Sequence, residues 1–343
     1  MAERSTSTSI RRGSRWLNHF IWFTAFATLL LICSGGMVTS KNVGLAVPDW
    51  PTTFGYNMFL FPVSKWIGGV LFEHTHRLIA STVGLLTLIL AAWLWRDDDR
   101  PSLRTLGLLA VAGVILQGIL GGLRVTMLKD QIGIFHACLA QAFLGLIVLI
   151  GVMRTNFRRA AHQDLTVSDR QVSKRLATVK TIAIVTTIAI YAQLALGATM
   201  RHQHKDLAIL DFPTANGVWI PDTSADALVR INAWRDARGL SDVDAFQIWL
   251  QMVHRFVAAL IGFAVILFCT RVWKDANQVA SLRRLSILWV ALFFLQFILG
   301  ASTIWSNKAA DIATAHVAVG AIMLSFGVSA WATSARVLQS VQK

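Results

Sequence analysis

The chain reads as long uncharged apolar runs separated by charged stretches, and eight of the runs reach membrane-spanning length: 17–38, 68–95, 105–124, 132–153, 179–200, 247–271, 283–304 and 311–334. A hydrocarbon core of about 30 Å takes about 20 apolar residues per helix. Lipid offers backbone amides no partners, so each run must satisfy its own hydrogen bonds as a helix. The pattern predicts an all-α membrane protein with eight transmembrane helices. The first run follows Arg4, Arg11, Arg12 and Arg15 as a secretory signal would. It is too long for one, no small-residue cleavage pattern follows it, and it opens a motif that returns later, so it is read as a helix.

Composition agrees with this solvent. Of the 343 residues 55% are hydrophobic and 15% charged, with a mean hydropathy of +0.56, against roughly 25% charged in soluble proteins. The net charge of +14 could suggest nucleic acid, but long uncharged runs serve no such domain, and the lipid bilayer is the expected polyanion. With the N-terminus inside, 20 of the 32 Lys and Arg fall on the inner side and 10 on the outer, five of these in the single loop 201–246. The short outer loops are poor in both residues, which predicts cytoplasmic termini. Cys33, Cys138 and Cys269 lie in apolar segments and suggest no disulfide framework.

The chain also repeats itself. Leu116-Gln117-Gly118-Ile119-Leu120-Gly121 returns 179 residues on as Leu295-Gln296-Phe297-Ile298-Leu299-Gly300, His76-Arg77 returns 178 on as His254-Arg255, and His136 returns 180 on as His316. Asp49-Trp50-Pro51-Thr52 matches Asp211-Phe212-Pro213-Thr214 at an interval of 162, so the second copy gained about 16 loop residues. The expected organisation is an N-terminal segment 1–16, a four-helix half 17–153, a cytoplasmic linker 154–178, a second four-helix half 179–334 with outer loop 201–246, and a tail 335–343. Because four is even, both copies enter from one side and form a parallel repeat. Within the long loop, Thr223 or Ser224 could cap a surface helix over about 225–238, with Leu228, Ile231 and Trp234 on one face and Gly239 ending it; a loop without helix is the alternative.

Chemistry gathers at four histidines. His76, His136, His254 and His316 each fall in the first third of an even-numbered helix, at similar depth near the outer leaflet. Each has a small residue one turn on, at Ala80, Ala140, Ala258 and Gly320, on the same helix face. A single such histidine is as well explained by an interhelical hydrogen bond. Four in matched positions, without the thiolate or carboxylate company of a closed zinc site, point to two bis-imidazole haem sites. His19, His162, His202 and His204 have no matched partners and are expected to be solvated.

The halves differ in one respect. Glu73 shares a face with His76, whereas the second half has Gln251 there, and His74 points some 200° away. A carboxylate inside a membrane segment suggests function; an ion pair with Arg77 at i, i+4 is the structural alternative. Arg77 and Arg255 suit the ligand's anionic groups or lipid phosphates, or simply snorkel to the interface. Asp49 and Asp211 suit turns, and Gln117 and Gln296 hydrogen bonds between helices.

Gly35-Gly36-Met37-Val38-Thr39, Gly44-Leu45-Ala46-Val47-Pro48-Asp49-Trp50-Pro51, Glu73-His74-Thr75-His76-Arg77 and the histidines at 136, 254 and 316 together resemble the haem A synthase family of cytochrome oxidase biogenesis proteins, over most of residues 17–334. The chain departs from many members in having Thr39 rather than Arg and in lacking a cysteine pair in loop 39–67. The resemblance implies oxidation of the C8 methyl of haem O to the formyl of haem A through successive hydroxylations and loss of water. It implies that His254 and His316 ligate a resident haem b, that His76 and His136 position the substrate, and that Glu73 acts beside the reacting edge as acid, base or stabiliser of positive charge. A bacterial inner membrane is the implied location, with haem O synthase and an electron-transfer protein as candidate partners. The alternatives are a dihaem cytochrome carrying electrons from quinone, which needs no acid in just one half, and a haem-delivery protein, for which the broken helices of transporters are missing.

Overall fold

The computed structural model describes residues 15–160, 170–202 and 207–342. His162, His204 and the basic residues Arg4, Arg11 and Arg12 lie outside the described residues. Among those described, the α-helices are α1 (Arg15–Ser40), α2 (Gly68–Asp97), α3 (Pro101–Met127), α4 (Asp130–Ala160), α5 (Arg170–His202), α6 (Ala225–Asp236), α7 (Ala245–Asp275), α8 (Ala280–Trp305) and α9 (Ala310–Val341). All except α6 are long and apolar enough to cross a bilayer, and the chain is an all-α integral membrane protein. Each expected span lies inside one of these helices. The helices overrun their apolar runs, α5 beginning at Arg170 and α9 continuing to Val341, because the intrahelical ladder continues beyond the hydrocarbon edge.

Local signals account for several starts. Pro101 stands at the first position of α3, where its missing N–H costs nothing. Asp244 and Gln247 form a reciprocal capping box on α7. Ser224 caps α6 through its side chain, while Thr223 accepts a hydrogen bond from Trp249 Nε1 at 3.1 Å instead. Leu228 and Ile231 of α6 pack inward on Ile209, Val243, Ile248 and Met252. Trp234 departs from the expected apolar face: it is 47% exposed and covered by the Arg238 guanidinium, 3.9 Å from its ring centre.

The eight long helices bury two apolar clusters. Leu17, Ile21, Leu90, Leu94, Leu103 and Ile147 hold α1–α4 together. Val179, Val265, Phe268, Leu282, Trp289 and Leu324 do the same for α5 and α7–α9. α1 and α4 pack on α9, and α4 on α5, across the boundary. Leu85, Leu108, Leu260 and Phe263 point outward and exposed, as suits side chains that meet lipid. The buried hydroxyls of Thr28 and Thr87 bond back one turn, to the carbonyls of Thr24 and Val83.

The loop between α2 and α3 is locked by charge. The buried Asp98 carboxylate accepts from Arg100 and from Arg154 of α4, whose Nε donates to Asn18 of α1 at 2.8 Å. The loops after α1 and α5 lie at the opposite end of the bundle and carry the same turn. Asp49 accepts from Thr52 Oγ1, Phe54 N and Gly55 N, and Asp211 from Thr214 Oγ1, Asn216 N and Gly217 N. Phe54, Gly55, Asn216 and Gly217 all have positive φ, a conformation the aspartate bonds sustain.

Candidate functional site

At the loop end a cavity of about 1230 Å³ opens between the helices, lined by residues of both sets of four. His76 of α2, His136 of α4, His254 of α7 and His316 of α9 all face it, as do Ala80, Ala140, Ala258 and Gly320. His76 and His136 lie within Coulombic reach of each other, and so do His254 and His316. In each of the four rings Nδ1 is buried without a hydrogen-bond partner.

A glycine of the preceding long helix lies against every one of these rings. A Cβ on Gly35 (α1) would stand 2.9 Å from His76 Cε1, on Gly121 (α3) 3.4 Å from that of His136, on Gly197 (α5) 3.4 Å from that of His254, and on Gly300 (α8) 3.1 Å from that of His316. One turn before three of these glycines is a glutamine. Gln117 Nε2 donates to the His136 carbonyl at 3.1 Å and Gln193 Nε2 to the His254 carbonyl at 2.8 Å, while Gln296 Nε2 is 3.4 Å from His316 Nε2. Sequence reasoning assigned Gln117 and Gln296 to interhelical bonds but missed Gln193 and the glycines. The signal was present as Gln-x-x-x-Gly at 117–121, 193–197 and 296–300, with Leu31 in place of the glutamine in α1.

Glu73 lines the cavity and is 4% exposed. Its Oε1 accepts from Arg77 Nη2 at 2.8 Å and its Oε2 from the Val47 amide at 2.9 Å. Both oxygens are therefore engaged, and the ion pair weighed from sequence is present. Gln251 makes the matching contacts with Ile209, accepting from its N–H at 3.0 Å and donating to its carbonyl at 2.9 Å. Among the described lining residues Glu73 is the only carboxylate.

The two arginines hold loops. Arg77 donates to the carbonyls of Asp49, Thr52 and Val47 at 2.7–3.0 Å; Arg255 donates to those of Asp211 and Thr214 at 2.7 and 2.9 Å. Neither snorkels: the Nη donors that sequence offered to a ligand or to phosphate are taken by the loop that follows α1 or α5, and Arg255 Nε is buried without a partner. Those turns lie outside the membrane-spanning helices. Burial works against the Asp49 charge, but its hydrogen bonds from Gly55, Thr52 and Phe54 prevail and hold the carboxyl below its ordinary value. Asp211 behaves likewise, with Thr214, Gly217 and Asn216 outweighing burial.

His74 is fully buried away from the cavity, packed on Phe61 and Trp66 with Nδ1 3.3 Å from Thr53 Oγ1. His202 corrects an expectation: it is 4% exposed rather than solvated. It lies at the end of α5, where a Cβ on Gly133 of α4 would meet its Nδ1 at 2.6 Å, a contact no local sequence signal announces.

The cavity suits flat macrocycles. Imidazoles face inward in pairs, small residues continue below them, and no group of three His, Cys, Asp or Glu gathers among the described residues as a closed metal site would require. Residues 18–328 match the family model described as cytochrome oxidase assembly protein. The chain belongs to that family. It is similar to the heme A synthase of Shewanella oneidensis, 26% identical over 329 residues that cover 90% of this chain and 93% of that protein. The heme A synthase of Brucella ovis is 27% identical over 353 residues, covering 94% and 93%. That of Shouchella clausii is 28% identical over 208 residues, covering 60% of this chain and 65% of the relative.

Proposed function

We propose that this cytochrome oxidase assembly protein is a haem A synthase, a membrane oxidoreductase that converts the C8 methyl of haem O to the formyl of haem A. The names of its relatives support that reading over an electron-transfer cytochrome or a haem-delivery protein. We take the chain as two related four-helix halves in a bacterial inner membrane, with both termini cytoplasmic. Haem O synthase is the candidate source of substrate, and an electron-transfer protein the candidate redox partner.

The observation that carries the assignment of the two sites is their unequal room. Haem O bears a long isoprenoid tail, and haem b does not. Below the His254–His316 pair, Phe293 fills the space, its Cζ only 2.2 Å from where Gly262 would carry a Cβ. At the matching place in the first half, Val114 Cγ2 is 4.0 Å from the Cβ position of Gly84, and Gly118 stands where the second half has Phe297. The roomier half also holds Glu73. On this reading His76 and His136 position haem O, while His254 and His316 hold haem b.

Bound haem supplies the redox chemistry. The protein's part is orientation and electrostatics. The histidine pairs would hold the macrocycles beside the glycine-bearing helices, within a largely apolar lining. Glu73 is clamped by Arg77 and Val47 N, which would hold its carboxylate in place to stabilise positive charge at the reacting edge. Expression in a host that makes haem O but no haem A, with extraction and chromatography of the haems, is expected to yield haem A. Wholly unconverted haem O in folded, haem-loaded protein would overturn the assignment.

A further inference from the structure

Two arginines that sequence counted among the outer loops stand inside the cavity. Arg124 occupies the last turn of α3 and Arg201 that of α5, and both line the space that holds the histidines. Arg201 Nη2 donates to the Gly36 carbonyl and to Ser40 Oγ, reaching from the last four long helices to α1. Arg124 makes no hydrogen bond or ion pair among the described residues. Its Nη2 lies 2.9 Å from where Gly44 would carry a Cβ, and the side chain also lines a smaller cavity that shares Thr39, Asn42 and Gly44 with the larger one.

The placement follows the chain's own intervals. Thr39 precedes Arg201 by 162 residues, and Thr303 follows Arg124 by 179, the spacings that relate Asp49 to Asp211 and Gln117 to Gln296. Each half thus has one arginine and one threonine at this level, on opposite helices. The threonines bond back to their own helices, at the Gly35 and Leu299 carbonyls. Arg124 lies within Coulombic reach of His76 and His136, and Arg201 of His316. The acids within reach of Arg124 are Glu73 and Asp130, and Glu73 is already committed to Arg77. A guanidinium in an apolar membrane cavity is costly unless a counter-charge meets it. A carboxylate accepts two parallel N–H bonds from it.

We propose that Arg124 and Arg201 form the carboxylate-binding shelf of the cavity. Arg124 takes a propionate of the macrocycle at His76 and His136, and Arg201 takes one of the macrocycle at His254 and His316. This rests on the reading that the cavity holds haems. It gives the reading of the ligand to Arg124 and Arg201 in place of Arg77 and Arg255, whose Nη donors the loops engage.

The test is a Soret titration of the full-length protein, prepared from haem-depleted cells in detergent, with iron protoporphyrin IX and with its dimethyl ester. Wild type is expected to prefer the diacid. Arg124→Gln and Arg201→Gln should each weaken diacid binding roughly 10-fold or more and leave the ester within about twofold of wild type. Arg→Lys variants should recover part of the loss. Equal loss for both porphyrins in the glutamine variants, or no loss for the diacid, overturns the shelf. Wild type binding diacid and ester alike with high affinity sinks the shelf alone, whereas wild type binding neither sinks the haem reading with it.

Discussion

Glu73 and Gln251 are the most informative pair of side chains in the molecule, because they do the same structural work with different charge. Each ties α2 or α7 to a loop amide, that of Val47 or Ile209. Glu73→Gln is therefore expected to fold and to bind haem as wild type does, since a glutamine already fills that place at residue 251. Turnover should fall roughly 100-fold, the scale of losing one preorganised electrostatic group. Spectra of bound haem together with the haem A yield of the variant decide it; full turnover would reduce Glu73 to a loop latch. Sequence could locate this carboxylate and its pairing with Arg77, but not the bond it accepts from the Val47 amide. That Arg77 and Arg255 serve loop carbonyls, and that Arg124 and Arg201 turn inward, depends on where the ends of other helices come to lie, and no local pattern records that.

At the scale of elements, the spans were legible because a membrane leaves a helix few alternatives: an uncharged run of about 20 residues must close its own hydrogen bonds. Helix α6 was legible from Ser224 and Gly239, yet the fate of Trp234 was not, since its partner Arg238 competes with the core for the ring. The two aspartate turns carry a pH dependence with a definite sign. Their carboxyls lie below the ordinary value of about 3.9. Their contribution is present in full above that value and disappears as pH falls through the lower folded value. Amide protection at Gly55 and Gly217 is expected to stay constant from about pH 7 to about pH 4 and to collapse below. Asp49→Asn should expose Gly55 at every pH. Loss of protection near neutrality would refute the account.

Across the whole molecule, the matched intervals set like chemistry in unlike rooms. Val114→Phe would give the first site the packing that Phe293 gives the second. The variant is expected to keep protoporphyrin binding while haem O affinity falls roughly 10-fold, the scale of excluding one or two methylene-sized groups from an apolar pocket. Competition between the two haems during Soret titration measures this, and equal losses for both would place the tail elsewhere. The histidines were readable as a set because four shared one depth. The inequality of their surroundings was not, because it resides in whether a ring on α8 leans over a glycine on α7.

One cavity is lined by both histidine pairs. On the haem reading, a macrocycle in either half would form part of the container of the other, so loading would be a linked equilibrium, not two private ones. Linkage is reciprocal: whatever factor a resident haem adds to retention of the substrate, the substrate adds to retention of the resident. Release of finished product would, by the same identity, remove that factor from the remaining haem.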